Sequence, residues 1–109
     1  MNTSCHWLAD YLSPVPPVQQ AGDLLTMGGY PVEEFSQFKA AAGVDDVMDV
    51  EVTSNRPDLL CHLGVARELA ALSGGRFKHE EAEPVDNGRA ATDAVGVRID
   101  DQHLCPHYT

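Results

Sequence analysis

The chain has 109 residues, the common size of one domain, and 43% of them are hydrophobic, which is sufficient for a modest core. Seventeen acidic residues against seven basic ones give a formal net charge of −10 at pH 7. Because this charge repels phosphate groups, it disfavours a free-standing nucleic-acid binder and adsorption to anionic membranes. We therefore expect one acidic, soluble domain.

Targeting signals and membrane spans are not apparent in the sequence. The first residues carry neither the basic region nor the apolar stretch of a secretory signal, and no apolar run approaches the roughly 20 residues that span a bilayer. Three widely separated cysteines, Cys5, Cys61 and Cys105, are an odd number and a poor disulfide framework. These features predict a cytoplasmic protein with reduced thiols.

Two helices and a strand are predicted in the first 40 residues. Apolar residues at helical spacing predict a short helix that ends near Leu12, before the proline-rich connector Ser13–Pro17. A second apolar stripe predicts a helix over Val18–Met27, which the pair Gly28–Gly29 ends. Branched and aromatic residues favour a strand over Val32–Phe38.

The next segment joins a strand to the most strongly patterned helix. Alternating apolar and acidic residues predict a strand over Val47–Val52, which runs into the turn-forming cluster Thr53–Asp58. Apolar residues then recur at three and four positions over Leu59–Leu72, which predicts a helix. Asp58 is predicted to cap this helix at its start, and Gly74–Gly75 to end it.

The last third of the chain is weakly patterned. Segment 76–94 is polar and acidic, as expected of an exposed linker. Val95–Asp100 alternates again, which favours a strand. We predict a main body over 1–75, an acidic linker over 76–94, and a returning strand with the entry to a next domain over 95–109, with one domain overall.

A longer ordered pattern resembles a known family. The segment Asp49–Asp58, with its Asn-Arg-Pro-Asp turn, is followed by His62–Leu72, and together they resemble the signature of the first domain of bacterial phenylalanyl-tRNA synthetase beta subunits. Three further segments agree with the family in the same order: Ser4–Leu12, Leu24–Glu33 and Leu104–Thr109. The resemblance covers nearly the whole chain, with the acidic linker its least informative part.

The resemblance implies a small α+β domain in which two or three helices pack on a short, largely antiparallel sheet. The family's beta subunit is a long multidomain chain that joins a catalytic alpha subunit in a heterotetramer, which charges tRNA with phenylalanine and uses ATP and magnesium. Because the motifs for this chemistry and for editing lie elsewhere in that assembly, the resemblance implies no catalytic, cofactor-binding or metal-binding residue here. It implies a structural and docking role toward the alpha subunit and the remaining beta domains.

Two departures from the family pattern bear on function. Many members insert an oligonucleotide-binding (OB) barrel for tRNA between the strands that correspond to Val32–Phe38 and Val47–Val52, and here only about eight residues separate them. The barrel does not fit in that space, so direct tRNA contact is disfavoured. The second departure is Asn2–Thr3, where the family has more apolar residues, and this argues against a first strand there.

The turn formed by Asn55, Arg56, Pro57 and Asp58 is the principal candidate site. A guanidinium at a helix start is one way to bind an anion, but the structural interpretation is favoured. In that interpretation Asn55 bonds its own backbone, and Arg56 pairs with a carboxylate on a neighbouring strand or subunit. Pro57 presets the helix entry, and Asp58 is the cap. We predict architecture or docking at this turn, and no catalysis.

Other residue patterns have a functional and a structural interpretation. Each cysteine has histidine neighbours in the sequence, namely His6 beside Cys5, His62 beside Cys61, and His103 and His107 around Cys105. A zinc site is conceivable from these ligands, but no paired Cys-x-x-Cys unit supports it, and nothing completes a cysteine nucleophile. Arg67 and Glu68 are predicted to lie on a solvated helix face. Trp7 and Tyr11 are predicted to be core residues.

Two alternative functions remain beside the docking role. One is a nucleic-acid-binding helical module, because the family's first domain resembles the helical DNA-binding domains of some transcription activators. Fold analogy is weak support for function, and the net charge opposes this alternative. The other is a metal-dependent interaction module built on the histidines and cysteines.

Overall fold

In a computed structural model, the described part of the chain forms a three-stranded antiparallel sheet with three α-helices packed against it. The structure describes residues 1–40, 43–79, 81, 83, 85 and 88–107. Its strands are β1 (Asn2–Ser4), β2 (Leu12–Ser13), β3 (Val32–Ala40), β4 (Gly43–Val50) and β5 (Arg76–Phe77). Its α-helices are α1 (Cys5–Tyr11), α2 (Val18–Met27) and α3 (His62–Ser73), and 3₁₀ turns cover Pro57–Leu59 and Ala91–Asp93. The predicted α+β class is confirmed.

The first strand forms, so the sequence-based argument against it is wrong. β1 pairs with the central strand β4, with Asn2 opposite Asp49 and Ser4 opposite Val47. Strand pairing satisfies backbone groups whatever the side chain, which is why a polar segment serves here. Thr3 is fully buried, and its hydroxyl donates to the carbonyl of Met1 over 3.2 Å.

The hairpin of β3 and β4 holds the longest pairing in the fold. The sheet order is β1-β4-β3, and the register runs from Val32 opposite Val50 to Ala40 opposite Gly43, with a shift at Glu33. β4 therefore starts four residues before the predicted strand, because β3 pairs with its first residues. Only two residues separate the strands, which is too short a connection to hold an inserted barrel.

The boundaries of α1 and α2 follow local signals closely. α2 coincides with the predicted range, because prolines precede it and glycine follows it. α1 begins where the Ser4 hydroxyl accepts a hydrogen bond from the Trp7 amide over 3.0 Å. The helices and β4 share one core, whose largest fully buried side chains are Leu8, Leu12, Leu25, Met48, Leu59 and Leu69.

A two-stranded ribbon extends the body past the predicted boundary at residue 75. β2 pairs with β5, so that Leu12 lies opposite Phe77. The Lys78 amide donates to the Tyr11 carbonyl over 2.7 Å, and the Lys78 ammonium donates to the Ala9 carbonyl over 2.9 Å. The division of the chain into body, linker and entry segment otherwise stays a prediction.

The predicted strand over Val95–Asp100 is wrong. Residues 95–99 have no regular structure, and Val95 and Val97 are 63% and 59% exposed. An alternating pattern yields a strand only when another strand supplies hydrogen-bonding partners, and none is placed beside this segment within the described ranges. No helix in the part of the chain that the structure describes is long and apolar enough to cross a bilayer.

Candidate functional site

The predicted turn lies between β4 and α3, and its backbone is closed by local bonds. The Arg56 amide donates to the Thr53 carbonyl over 3.0 Å, and Pro57 opens the 3₁₀ turn that leads toward α3. Proline suits this position because it fixes φ and has no amide to leave unpaired. Asn55 is exposed, and no hydrogen bond of its side chain is found among the described residues, so the predicted bond to its own backbone is not observed.

The prediction that Asp58 caps α3 is also wrong. The N-cap is Cys61, whose sulfur accepts from the Gly64 amide over 3.4 Å, while Asp58 lies one turn earlier in the 3₁₀ segment. The extra 3₁₀ turn displaces Asp58 from the helix start, so its carboxylate is available to side chains. Cys61 is exposed and does not occupy a core position.

Arg56 is the centre of a polar network that joins three parts of the fold. Its guanidinium donates to both carboxylate oxygens of Asp58, over 3.0 Å each, and to Glu68 of α3 over 2.9 Å. It also donates to the hydroxyl of Tyr30, which follows α2, and that hydroxyl donates to Glu68 over 3.1 Å. Arg67 completes the network by donating to Asp58 over 2.9 Å. We call these five residues the Arg56 network.

Sequence reasoning identified two of these five residues. It predicted that Arg56 pairs with a carboxylate on a neighbouring strand or subunit, and the partners are instead Asp58 in the same turn and Glu68 on α3. It placed Glu68 on a solvated helix face, yet only a quarter of that side chain is exposed. Glu68 lies four residues after Gly64, on the face of α3 that meets the turn, and only the placed turn shows that this face is not solvated.

Gly64 is a second residue whose role appears only in three dimensions. A Cβ atom built on Gly64 would lie 1.9 Å from the Asp58 carbonyl oxygen, so only glycine allows the turn to pack against α3. The contact atom is backbone, which has no side-chain rotamer by which to move away. Gly64 therefore sets how closely the Arg56 network approaches the helix.

The electrostatics of the Arg56 network are internally balanced. Two guanidinium groups, of Arg56 and Arg67, face two carboxylates, of Asp58 and Glu68. Hydrogen bonds from Arg56 lower the pKa of the Asp58 carboxyl to about 2. Bonds to Asp58 and then Glu68 raise the pKa of the Arg56 guanidinium above its ordinary value. With its main donors engaged and no net charge, the network is poorly suited to bind an anion or to transfer a proton.

The cysteines and histidines do not assemble into a metal site. No group of three or more histidine, cysteine, aspartate or glutamate side chains within the described ranges is arranged to hold a metal ion. Burial, followed by the charges of Asp45 and Asp46, raises the pKa of the Cys5 thiol to about 11, which is the opposite of what a nucleophile needs. These findings give the metal module and the cysteine nucleophile no support.

Trp7 and His62 form a second cluster, on the side of the sheet where α1 meets α3. The indole is 52% exposed, so the prediction that Trp7 is a core residue is wrong. Its ring stacks on the imidazole of His62 with 4.1 Å between centroids and 20° between planes. The Ser4 amide donates to Nε2 of His62 over 2.9 Å, which fixes the imidazole.

Comparison with known proteins places the chain in a family. Neither a protein-family model nor a solved structure matches it. It is 44% identical over 84 residues to the phenylalanine–tRNA ligase beta subunit of Anaeromyxobacter dehalogenans, which covers 76% of this chain and 10% of the relative. It is 36% identical over all 109 residues to the same subunit of Rhodopirellula baltica, of which it covers 15%.

The whole chain is thus matched by one part of a much longer aminoacyl-tRNA synthetase subunit. The chain belongs to the family of phenylalanine–tRNA ligase beta subunits. It spans between about a tenth and a seventh of the length of these two relatives.

Proposed function

We propose that this domain is a structural and docking part of a phenylalanine–tRNA ligase, and that it has no catalytic residue of its own. The observation that carries the proposal is the Arg56 network, because its charged groups are directed at each other rather than into an open cleft. Such a network holds a turn, α3 and Tyr30 in one arrangement without offering a reacting group. The domain would thereby present a rigid surface to neighbouring parts of the assembly.

The partners follow from the family. The names of the relatives call them beta subunits, which supports an alpha subunit as partner, together with the remaining domains of the beta subunit. The assembly would attach phenylalanine to tRNA in the cytoplasm with ATP and magnesium. ATP and magnesium would be bound by other parts of the assembly.

A nucleic-acid-binding role has no specific observation in its favour. The chain carries a net charge of −10, and its OB insertion is missing between β3 and β4. Phosphate groups would therefore meet an opposing field rather than a basic surface.

Co-purification tests the docking role. The chain is mixed with the alpha subunit of its own organism and with the remaining beta domains, and retention on a tagged alpha subunit is measured. We expect retention of the folded chain, and of an Arg98→Gln control whose guanidinium is 89% exposed in the tail. Failure of the folded chain to associate with either partner would contradict the docking role.

Arg56→Gln extends the same experiment to the turn. If the folded variant is no longer retained, docking includes the turn itself. If it is retained, the Arg56 network acts only within the domain.

A further inference from the structure

Large apolar side chains are exposed on one continuous surface that the Arg56 network does not include. Trp7 of α1, Phe38 of β3 and Leu60 before α3 are 52%, 64% and 63% exposed. They line two adjoining clefts of about 410 and 370 Å³, which share Asn2, Trp7 and His62. We call this surface the Trp7 groove. Contiguous apolar surface of this kind marks interaction sites in soluble proteins.

The centre of the Trp7 groove is held in place by hydrogen bonds. Ser4 donates from its amide to His62 and from its hydroxyl to Asp45 over 2.5 Å. Asp45 also accepts from the His6 amide over 3.0 Å. The stacked Trp7 and His62 rings are thus fixed to β1 and β4 before any partner arrives. A preformed aromatic surface loses little conformational entropy on binding.

The charge of the Trp7 groove is negative. No lysine or arginine is among the residues that line either cleft, and the Met1 ammonium in the second cleft is paired with Asp49 over 2.7 Å. Burial lowers the pKa of His62, which keeps the imidazole neutral near pH 7. Burial alone would raise the pKa of Asp45, but bonds from Ser4 and His6 outweigh it and lower that pKa. Asp45 is therefore ionised, but it is only 8% exposed and both of its oxygens accept bonds, so it gives the groove a negative potential rather than an open hydrogen-bond acceptor.

We propose that the Trp7 groove binds a polypeptide segment of another part of the assembly that carries an arginine between apolar residues. The exposed indole and the negative potential of Asp45 and of the whole chain favour a guanidinium, which stacks on aromatic faces and is weakly hydrated. Phe38 lines one of the two clefts and Leu60 the other, and they supply apolar contact for the flanking residues. This inference rests on the docking role proposed above and names the chemistry of the partner. RNA is disfavoured because its phosphates would face Asp45 and a chain of net charge −10.

Trp7 is the only tryptophan of the chain, so its fluorescence reports directly on the groove. The experiment measures acrylamide quenching of Trp7 in the 109-residue chain during titration with the peptide acetyl-Leu-Arg-Leu-amide. The matched probe replaces arginine by citrulline, which has nearly the same shape and no charge. Phe38→Ser removes an exposed side chain of the groove, and Val85→Ser is its control, because Val85 is 95% exposed and lies outside the groove.

We expect saturable protection of Trp7 by the arginine peptide, with an affinity about two- to fivefold higher than that of the citrulline peptide, the range of an exposed cation–π contact. Phe38→Ser should weaken binding, and Val85→Ser should not. Equal affinity for both peptides would overturn the arginine preference. Protection by tRNA instead of the peptide, or by raising the concentration of the chain alone, would assign the groove to RNA or to a second copy.

The outcome separates this inference from the proposed function. If the chain associates with the alpha subunit or the remaining beta domains and Trp7 stays unprotected by peptide, only the groove assignment is overturned. If the peptide protects Trp7 and the chain associates with neither partner, peptide binding at the Trp7 groove is supported and the docking role in the synthetase is contradicted.

Discussion

The Arg56 network and the Trp7 groove lie on the same small body and differ in how their groups are partnered. In the Arg56 network, two cations and two carboxylates bond each other and the Tyr30 hydroxyl. In the Trp7 groove, the polar groups of Ser4, Asp45 and His62 bond each other, while large apolar side chains are exposed to solvent. A closed set of polar bonds favours a structural role, while unpartnered aromatic surface favours binding.

The comparison shows why the family motif alone does not locate a docking surface. The Asn-Arg-Pro-Asp turn carries the most conspicuous residues of the sequence, yet the structure directs Arg56 and Asp58 inward to α3. Changes in the Arg56 network should therefore alter stability, and changes in the Trp7 groove should alter association.

The largest expected effect on stability is that of Gly64→Ala. The added Cβ would meet the Asp58 carbonyl oxygen at 1.9 Å and separate the turn from α3. Overpacking of this kind costs about 3 kcal/mol or more, of which the better helix propensity of alanine offsets roughly 1 kcal/mol. Denaturant unfolding should show a loss of about 2 kcal/mol or more in the free energy of unfolding. Gly96→Ala is the control, because a Cβ at Gly96 meets nothing within 4 Å, and an equal loss there would contradict the account.

Arg56→Gln should have the next largest effect. The change removes the guanidinium that neutralises Asp58 and Glu68, so the midpoint of thermal unfolding should fall by several degrees. A double-mutant cycle with Glu68→Gln isolates the pair, and Arg56→Gln should cost less when Glu68 is already neutral. Additive effects of the two changes would show that the contact between them carries no coupling.

Acid should weaken the domain in two separate pH ranges. The pKa of His62 is lowered in the folded state by burial, so the unfolded chain binds more protons and stability falls as the pH drops below about 6.5. The pKa of Asp58 is lowered to about 2, so its contribution is complete above its ordinary pKa of 3.8 and is lost as the pH falls toward 2. Unfolding free energies measured from pH 8 to pH 2 should show both ranges. His62→Gln should remove the upper one, and its persistence would assign that range to another group.

Phe38→Ser should have the smallest effect on stability. Because 64% of Phe38 is exposed, the free energy of unfolding should change by no more than about 0.5 kcal/mol, as measured by denaturant titration. The same variant should weaken binding at the Trp7 groove. A large loss of stability would show that Phe38 belongs to the structural part of the molecule.

Features set by neighbours in the sequence were predictable. α2 is bounded by Pro17 and Gly28, and its limits follow from the chemistry of those two residues. The strand β4 and the helix α3 follow from alternation and from apolar periodicity, with only their ends shifted. The family match through the Asn-Arg-Pro-Asp turn also required only order along the chain.

Features that depend on distant residues were not predictable. Tyr30 and Glu68 are 38 residues apart, and nothing local indicates that they share a hydrogen bond. Trp7 is a large aromatic residue of a type that is usually buried. Here Leu8 occupies the core, and Trp7 stacks on His62 at the surface. Asp58 is a residue type that commonly caps helices. The 3₁₀ turn between Asp58 and α3 explains why Cys61 is the N-cap instead.

Charging of tRNA tests the central claim most directly. The rate of phenylalanine attachment is measured for the organism's own alpha subunit mixed with a beta subunit that lacks this domain, with and without the 109-residue chain added in trans. The account predicts that the folded chain raises the rate and that Gly64→Ala, which separates the turn from α3, raises it less. An unchanged rate with the folded chain present, together with no association, would contradict its role as a docking domain.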